Sequence, residues 1–274
     1  MTPPRLLATD LDGTLLLADR TISARTRAVL SAARAAGMTL AAVTARPPRV
    51  FTEITDVAEF CDLAICSNGA LVVDFATGEV LETRTMTVPV ARKAVEALRP
   101  ALPDTHFGVE TGYEVVAESG YSRVDSVGDR RVHVPTMEDV LSTAGQIVKV
   151  LAHSTTAHVD DMLAAALAVG PADVVVSHSG GRGLLEISAA GVTKATTLAE
   201  FCAARGLTAA DVVAFGDMPN DLPMLAWAGR AYAMGNAHPD VRAAVADHTL
   251  GCEEDGVAVV LEALLSGHPF PPVA

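Results

Sequence analysis

Leu6-Leu7-Ala8-Thr9-Asp10-Leu11-Asp12-Gly13-Thr14-Leu15-Leu16 sets a short apolar run before two carboxylates one residue apart, with a glycine directly behind them. Side chains at i and i+2 of an extended chain share a face. A chain leaving a strand here therefore aims Asp10 and Asp12 into one crevice. Like charges that close repel, and one carboxylate protonates unless a cation or a shared proton bridges them. The arrangement costs stability, so it points to chemistry at a strand end rather than to folding.

Other apolar runs end in the same way. Thr39-Leu40-Ala41-Ala42-Val43 runs into Thr44, Leu63-Ala64-Ile65-Cys66 into Ser67-Asn68-Gly69, and Val212-Val213-Ala214-Phe215 into Gly216-Asp217. Ala231-Tyr232-Ala233-Met234 ends at Gly235-Asn236. Continuous apolar runs bounded by turn residues read as strands buried on both faces, the mark of a parallel sheet. Between them lie helix patterns, one over 24–36 capped by Ser23 and stopped by Gly37, another from Thr193 to Arg205 stopped by Gly206. The fold class is α/β, with a Rossmann-like parallel sheet flanked by helices. Ligands of such sheets bind beyond the carboxyl ends of the strands, so polar residues far apart in sequence converge there.

Residues 86–188 break this rhythm. Strands are predicted over 105–118, 147–153, 173–179 and 184–188, with helices near 89–99, 136–144 and 158–169. Mixed elements inserted into a parallel core predict a smaller α+β cap domain over 86–188, the core being 1–85 and 189–274. Ser177-His178-Ser179-Gly180-Gly181-Arg182-Gly183 lacks the frame of a nucleotide loop and reads as a structural hairpin of the cap. The Pro269, Pro271 and Pro272 end reads as a loose tail.

Composition excludes several classes. Among 274 residues the net charge is −13, with no basic run longer than Asp129-Arg130-Arg131, which argues against nucleic acid as partner. No signal-peptide pattern precedes Asp10, and no apolar run approaches the ~20 residues that span a bilayer. Cys61, Cys66, Cys202 and Cys252 have no metal-ligand spacing and read as small hydrophobes in a reducing cytoplasm. The eight histidines form no ligand set, and Trp227 reads as a packing residue.

A phosphate monoester held at these strand ends needs a nucleophile, an acid for the departing oxygen, cations on the phosphoryl oxygens and in-line geometry. Asp10 can attack phosphorus, and Asp12 can protonate the leaving alkoxide and then activate water. Mg2+ between Asp10 and Asp217 offsets the acids. Thr44 supplies a hydroxyl, and Lys194, one of three lysines, supplies an amine. Asn220 and Asp221, in Gly216-Asp217-Met218-Pro219-Asn220-Asp221, suit the orientation of Lys194, metal-bound water or phosphate. Asn68-Gly69 reads either as a border of the site or as a plain turn.

Asp10-Leu11-Asp12-Gly13-Thr14-Leu15, Thr44, Gly191-Val192-Thr193-Lys194 and Gly216–Asp221 resemble, in order, the four motifs of the haloacid dehalogenase (HAD) superfamily. The insertion between the second and third motifs resembles the cap of its Cof-type branch, as do Ser67-Asn68-Gly69-Ala70, Leu185-Glu186-Ile187 and Met234-Gly235-Asn236-Ala237. The resemblance implies a magnesium-dependent phosphatase with an aspartyl-phosphate intermediate. By analogy Asp10 is nucleophile and metal ligand, and Asp12 is acid/base and lends the metal its backbone carbonyl. Asp217 supplies another metal-binding carboxylate, and Asp221 holds a metal-bound water. Leu11 and Ala45 offer backbone N–H groups to phosphate beside Thr44, Lys194 and Asn220. One departure stands in the second motif: Thr44-Ala45-Arg46 replaces the common Thr-Gly-Arg.

The expected substrate is a small phosphorylated metabolite, sugar phosphates among the candidates, with no nucleic-acid or membrane partner. A phosphomutase of phosphomannomutase type is the nearest rival. A phospho-accepting signalling module and a catalytically silent binding protein stand further off, since neither needs both the inserted cap and the full set of acids.

Overall fold

The computed structural model describes residues 4–123, 130–180 and 183–267. Gly181, Arg182, Asp129 and the Pro-rich end, all named above, lie outside the described residues. The strands in chain order are β1 (Leu6–Thr9), β2 (Thr39–Val43), β3 (Leu63–Cys66), β4 (Leu71–Asp74), β5 (Val80–Thr83), β6 (His106–Glu110) and β7 (Val115–Glu118). They continue as β8 (Arg131–Val134), β9 (Lys149–His153), β10 (Val174–Ser177), β11 (Leu184–Ala189), β12 (Val212–Gly216), β13 (Arg230–Ala233) and β14 (Asp247–His248). The helices are α1 (Ala24–Ala35), α2 (Thr55–Phe60), α3 (Val88–Leu98), α4 (Met137–Thr143) and α5 (Val159–Val169). After them come α6 (Lys194–Ala203), α7 (Leu222–Trp227), α8 (Pro239–Ala244) and α9 (Gly256–Ser266).

β1 lies inside an eight-stranded sheet of order β14-β13-β12-β1-β2-β3-β4-β5. Neighbours from β14 to β3 run parallel, and β4 and β5 are antiparallel additions at one edge. Every residue of β1 and β3 is buried, as strands covered on both faces must be. The helix stops and starts follow the predicted chemistry. Ser23 Oγ accepts the Thr26 N–H at 3.0 Å to open α1, and Thr193 Oγ1 accepts the Thr196 N–H at 3.1 Å to open α6.

The second sheet has the order β10-β11-β9-β6-β7-β8 and its own apolar core, with Phe107, Val109, Val150 and Ile187 at its centre. The 105–118 segment, predicted as one strand, is two. Thr111 Oγ1 accepts the N–H of Tyr113 at 3.2 Å and of Glu114 at 3.0 Å, which turns the chain back on itself. The sequence reading placed no strand over β4, β5, β8 or β14. β5 is exposed along its whole length, β8 is mostly half-buried, and β14 has two residues, so burial imposes no pattern on these three. β13 begins and ends one residue before the predicted run. No helix among the described residues is long and apolar enough to cross a membrane.

Candidate active site

Strand register brings the motif loops together. Thr9 of β1 pairs with Ala42 of β2 and with Phe215 of β12. Asp10 leaves β1 directly, while Thr44 and Asp217 stand two residues beyond those partners. Adjacent strands lie about 4.8 Å apart, so three segments distant in sequence share one sheet end. Lys194 reaches in from the start of α6, donating to Asp10 Oδ1 at 2.5 Å and to Asp221 Oδ1 at 2.7 Å. Asp221 Oδ2 accepts the N–H groups of Asp217 and Met218, each at 3.0 Å. Thr14 Oγ1 donates to Asp217 Oδ1 at 2.8 Å.

Two glycines make this closeness possible. A Cβ on Gly13, whose φ is +77°, would stand 2.4 Å from Asp217 Oδ2. One on Gly216 would stand 2.6 Å from Asp221 Cβ. Asn236 braces the same turn, its Nδ2 donating to the Gly13 carbonyl at 2.8 Å and its Oδ1 accepting from Cys252 N–H at 2.8 Å.

The electrostatics are severe. Asp10, Asp217 and Asp221 are buried, with one oxygen of each within 4.8 Å of the others, and they are the one such group of metal-ligating side chains among the described residues. Burial drives the Asp10 pKa well above the ordinary carboxylate value; Lys194 opposes the rise, and Asp221, Asp217 and Asp12 add to it. Burial and then Asp221 push Asp217 up to about 7. Burial alone would lower the Lys194 pKa, but Asp10 and Asp221 hold it above the ordinary amine value. Against the four carboxylates stand Lys194 and Arg46, which leaves two negative charges uncompensated in the ionised state. An oxygen-rich, doubly negative cluster fits a hard divalent cation such as Mg2+.

Every predicted site residue lies in or beside this cluster. The Asp12 carboxylate, 46% exposed, is clasped by Arg46, with Nε to Oδ2 at 2.5 Å and Nη2 to Oδ1 at 2.6 Å. Thr44 is buried, and its Oγ1 accepts the Arg46 N–H at 3.1 Å, which leaves the hydroxyl proton for another acceptor. Ala45 has no positive φ, so alanine replaces the common glycine without strain. The Leu11 carbonyl gathers the N–H groups of Thr14, Leu15 and Leu16 at 3.3, 3.0 and 2.8 Å, curling the loop about Asp10. Asn220 Nδ2 donates to Asn68 Oδ1 at 3.0 Å.

Asn68 is more than a plain turn residue. Ser67 and Asn68 hold φ values of 50° and 57°, left-handed conformations that cost energy outside glycine. Both are buried, and the Asn68 N–H donates to the Thr44 carbonyl at 3.0 Å. The strained backbone brings the Asn68 carboxamide to Asn220.

A cavity of about 380 Å3 opens over the cluster, lined by Asp10, Asp12, Thr44, Ala45 and Arg46 from the first sheet and by Glu110, Lys149 and Glu186 from the second. Sequence reasoning missed most of the second-sheet contribution. Arg49 forms a two-pronged pair with Glu110 at 2.6 and 2.8 Å. Lys149 pairs with Glu186 and donates to the Ala45 carbonyl at 2.7 Å. The scarcity of lysine that singled out Lys194 applied equally to Lys149 and was the available signal. Of the segment read above as a structural hairpin, Ser179 and Gly180 line the cavity, so their role is not purely structural.

Other expectations find their places. The four cysteines are free; burial raises the Cys61 thiol to about 12 and the Cys202 thiol to about 11, which removes them as nucleophiles. His178 is buried with Nε2 at 3.1 Å from Asp160 Oδ1. Trp227 packs against the first core.

Residues 7–261 match the family model described as haloacid dehalogenase-like hydrolase. The chain belongs to that family. This haloacid dehalogenase-like hydrolase is 31% identical over 253 residues to the pyridoxal phosphate phosphatase YbhA of Escherichia coli strain K12, across 87% of this chain and 90% of that one. It is 29% identical over 278 residues to the 5-amino-6-(5-phospho-D-ribitylamino)uracil phosphatase YitU of Bacillus subtilis strain 168, across 97% and 99% of the two chains. Its fold is also that of SMU.1108c from Streptococcus mutans UA159, with a TM-score of 0.83 at 20% identity over 96% of this chain and 99% of that one.

Proposed function

We propose that this hydrolase is a Mg2+-dependent phosphatase of small phosphorylated metabolites, working through a phosphoryl group carried on Asp10. One observation carries the reading: Lys194 bridges Asp10 and Asp221 while Asp217 completes a buried acid cluster beneath a cavity between the two sheets. Similarity to two phosphatases of small phosphorylated compounds supports the substrate class. Residues 86–188 serve as the cap, and four free cysteines suit a reducing, cytoplasmic setting.

In this mechanism Asp10, the Asp12 carbonyl and Asp217 would hold the metal, with Asp221 supporting it. Mg2+ held there would offset the charge of the cluster and supply Lewis-acid stabilisation to the phosphoryl group. Lys194 fixes one Asp10 oxygen, and an Asp10 oxygen attacks phosphorus as the bond to the leaving oxygen breaks. Thr44, Lys194, Asn220 and the N–H groups of Leu11 and Ala45 receive the phosphoryl oxygens. Asp12 gives its proton to the departing alkoxide, for which the Arg46 clasp must open. Asp12 then takes a proton from water, whose oxygen attacks phosphorus and releases Asp10 and inorganic phosphate.

The test is phosphate release from a panel of phosphorylated metabolites with Mg2+, run beside assays for isomerised sugar phosphate. Free phosphate with labelled Asp10 trapped on quenching is the expected result. Isomerised product without free phosphate would establish a mutase, and a stable phospho-Asp10 without turnover would establish a signalling module.

A further inference from the structure

The cap sheet touches the proposed phosphate cradle through a buried ion pair that the mechanism does not use. Lys149 and Glu186, both nearly inaccessible, stand on neighbouring antiparallel strands β9 and β11 and pair with one another. Lys149 also crosses to the first sheet and donates to the carbonyl of Ala45 at 2.7 Å. That carbonyl is one peptide beyond the N–H assigned to phosphate. Burial works to raise the Glu186 pKa, but Lys149, Ser179 and Asn68 together outweigh it, so the group is a carboxylate. Asn68 in turn holds Asn220 through its Oδ1 at 3.0 Å.

The pair thus meets the cradle on two sides, at Ala45 directly and at Asn220 through Asn68. Polar capacity remains on that second path: Asn220 Oδ1 is buried and completes no hydrogen bond. Buried polar groups are ordinarily satisfied, so this atom marks a contact that the network still has to make. A pair serving only to fold the cap would have no reason to end on a carbonyl of the other sheet.

We propose that Lys149 and Glu186 are positioning residues that carry the seating of the cap into the phosphate cradle, through the Ala45 carbonyl and through Asn68 and Asn220. The inference rests on the phosphatase reading above. It assigns the pair an effect on phosphate itself, independent of the leaving group.

The three lysines, Lys93, Lys149 and Lys194, make a direct test practical. With 13C at the lysine ε carbons, inorganic phosphate is titrated into the Mg2+-loaded protein. Lys194 and Lys149 should shift with a common midpoint, while Lys93, paired with Asp173 at the surface, stays still. Movement of Lys194 alone would overturn the positioning role and leave the phosphatase reading intact. If neither moves and p-nitrophenyl phosphate is not hydrolysed, the parent reading fails and this inference with it. Replacing one partner would orphan a buried charge, so the kinetic test uses the double variant Lys149→Met, Glu186→Gln. Its inhibition constant for phosphate should weaken by about 10- to 100-fold, the value of a charge-assisted hydrogen bond. A folded double variant with the wild-type constant against p-nitrophenyl phosphate turnover would refute the proposal.

Discussion

Asp217→Asn should make the metal-free protein more stable at pH 8, and Mg2+ should shrink that advantage. Asp217 titrates at about 7 against an ordinary carboxyl value of 3.8. At 1.36 kcal/mol per pKa unit, that difference is roughly 4 kcal/mol. The folded value lies above the unfolded one, so folding favours the protonated acid. Its stabilising contribution is present below about pH 4, fades as pH rises, and is lost by about pH 7. Asp217, Asp10 and Asp221 titrate together, so removing one charge recovers about 2–4 kcal/mol. Asparagine keeps an oxygen for Thr14, whose hydroxyl bonds Asp217 at 2.8 Å. In EDTA at pH 8 the variant should therefore melt about 4–15 °C above wild type, and near pH 4 the two should coincide. With Mg2+ at a hundred times its dissociation constant, wild type should gain about 2.7 kcal/mol and the variant far less. Thermal unfolding at both pH values, with and without Mg2+, is the assay. Equal melting in EDTA at pH 8 would refute the claim that Asp217 is held charged against the fold.

Asp10→Asn should keep the fold and lower turnover on the order of 10^3-fold or more, as loss of a nucleophile does; wild-type turnover by steady-state phosphate release would remove Asp10 from the chemistry. EDTA should abolish activity and added Mg2+ restore it, with apparent Mg2+ affinity rising as pH passes about 7 because protons compete for Asp217. Gly13→Ala should cost roughly 1–2 kcal/mol from the left-handed backbone alone, and its Cβ, 2.4 Å from Asp217 Oδ2, should displace that carboxylate and weaken Mg2+ activation. In the native protein a thiol reagent should find at most Cys252, the one cysteine not buried; denaturant should expose the other three.

The alternation between apolar runs and helix caps made the parallel sheet legible, because strands covered on both faces must be apolar throughout. The acids, Thr44 and Lys194 were legible for a different reason: each follows such a run or opens a capped helix, so strand order alone dictates that they meet. Arg49, Glu110 and Lys149 escaped, and Glu186 stood in a recognised motif without a role, because their meaning depends on how one sheet faces another. Glu110 and Lys149 sit opposite each other in β6 and β9, yet each finds its ionic or polar partner elsewhere as well. No local period encodes that crossing. Asn68 is intermediate: its place at a strand end was visible, but its left-handed backbone and its bond to Asn220 were not.

A chain of net charge −13 must still bring an anionic ester to four carboxylates. The repulsion between the distant surface and the ester is screened beyond about 8 Å at physiological ionic strength. Inside the cavity the nearest charges decide, and there Arg46, Arg49 and Lys149 stand beside Arg20 and Arg123. Asp12 clasps Arg46, Glu110 holds Arg49, and Glu186 anchors Lys149. Arg49 and Lys149, fixed by partners the mechanism leaves in place, need little reorganisation when charge develops nearby, which is where electrostatic catalysis draws its strength. The acids of the cap sheet therefore do not compete with the phosphate for these cations; they keep them in position for it.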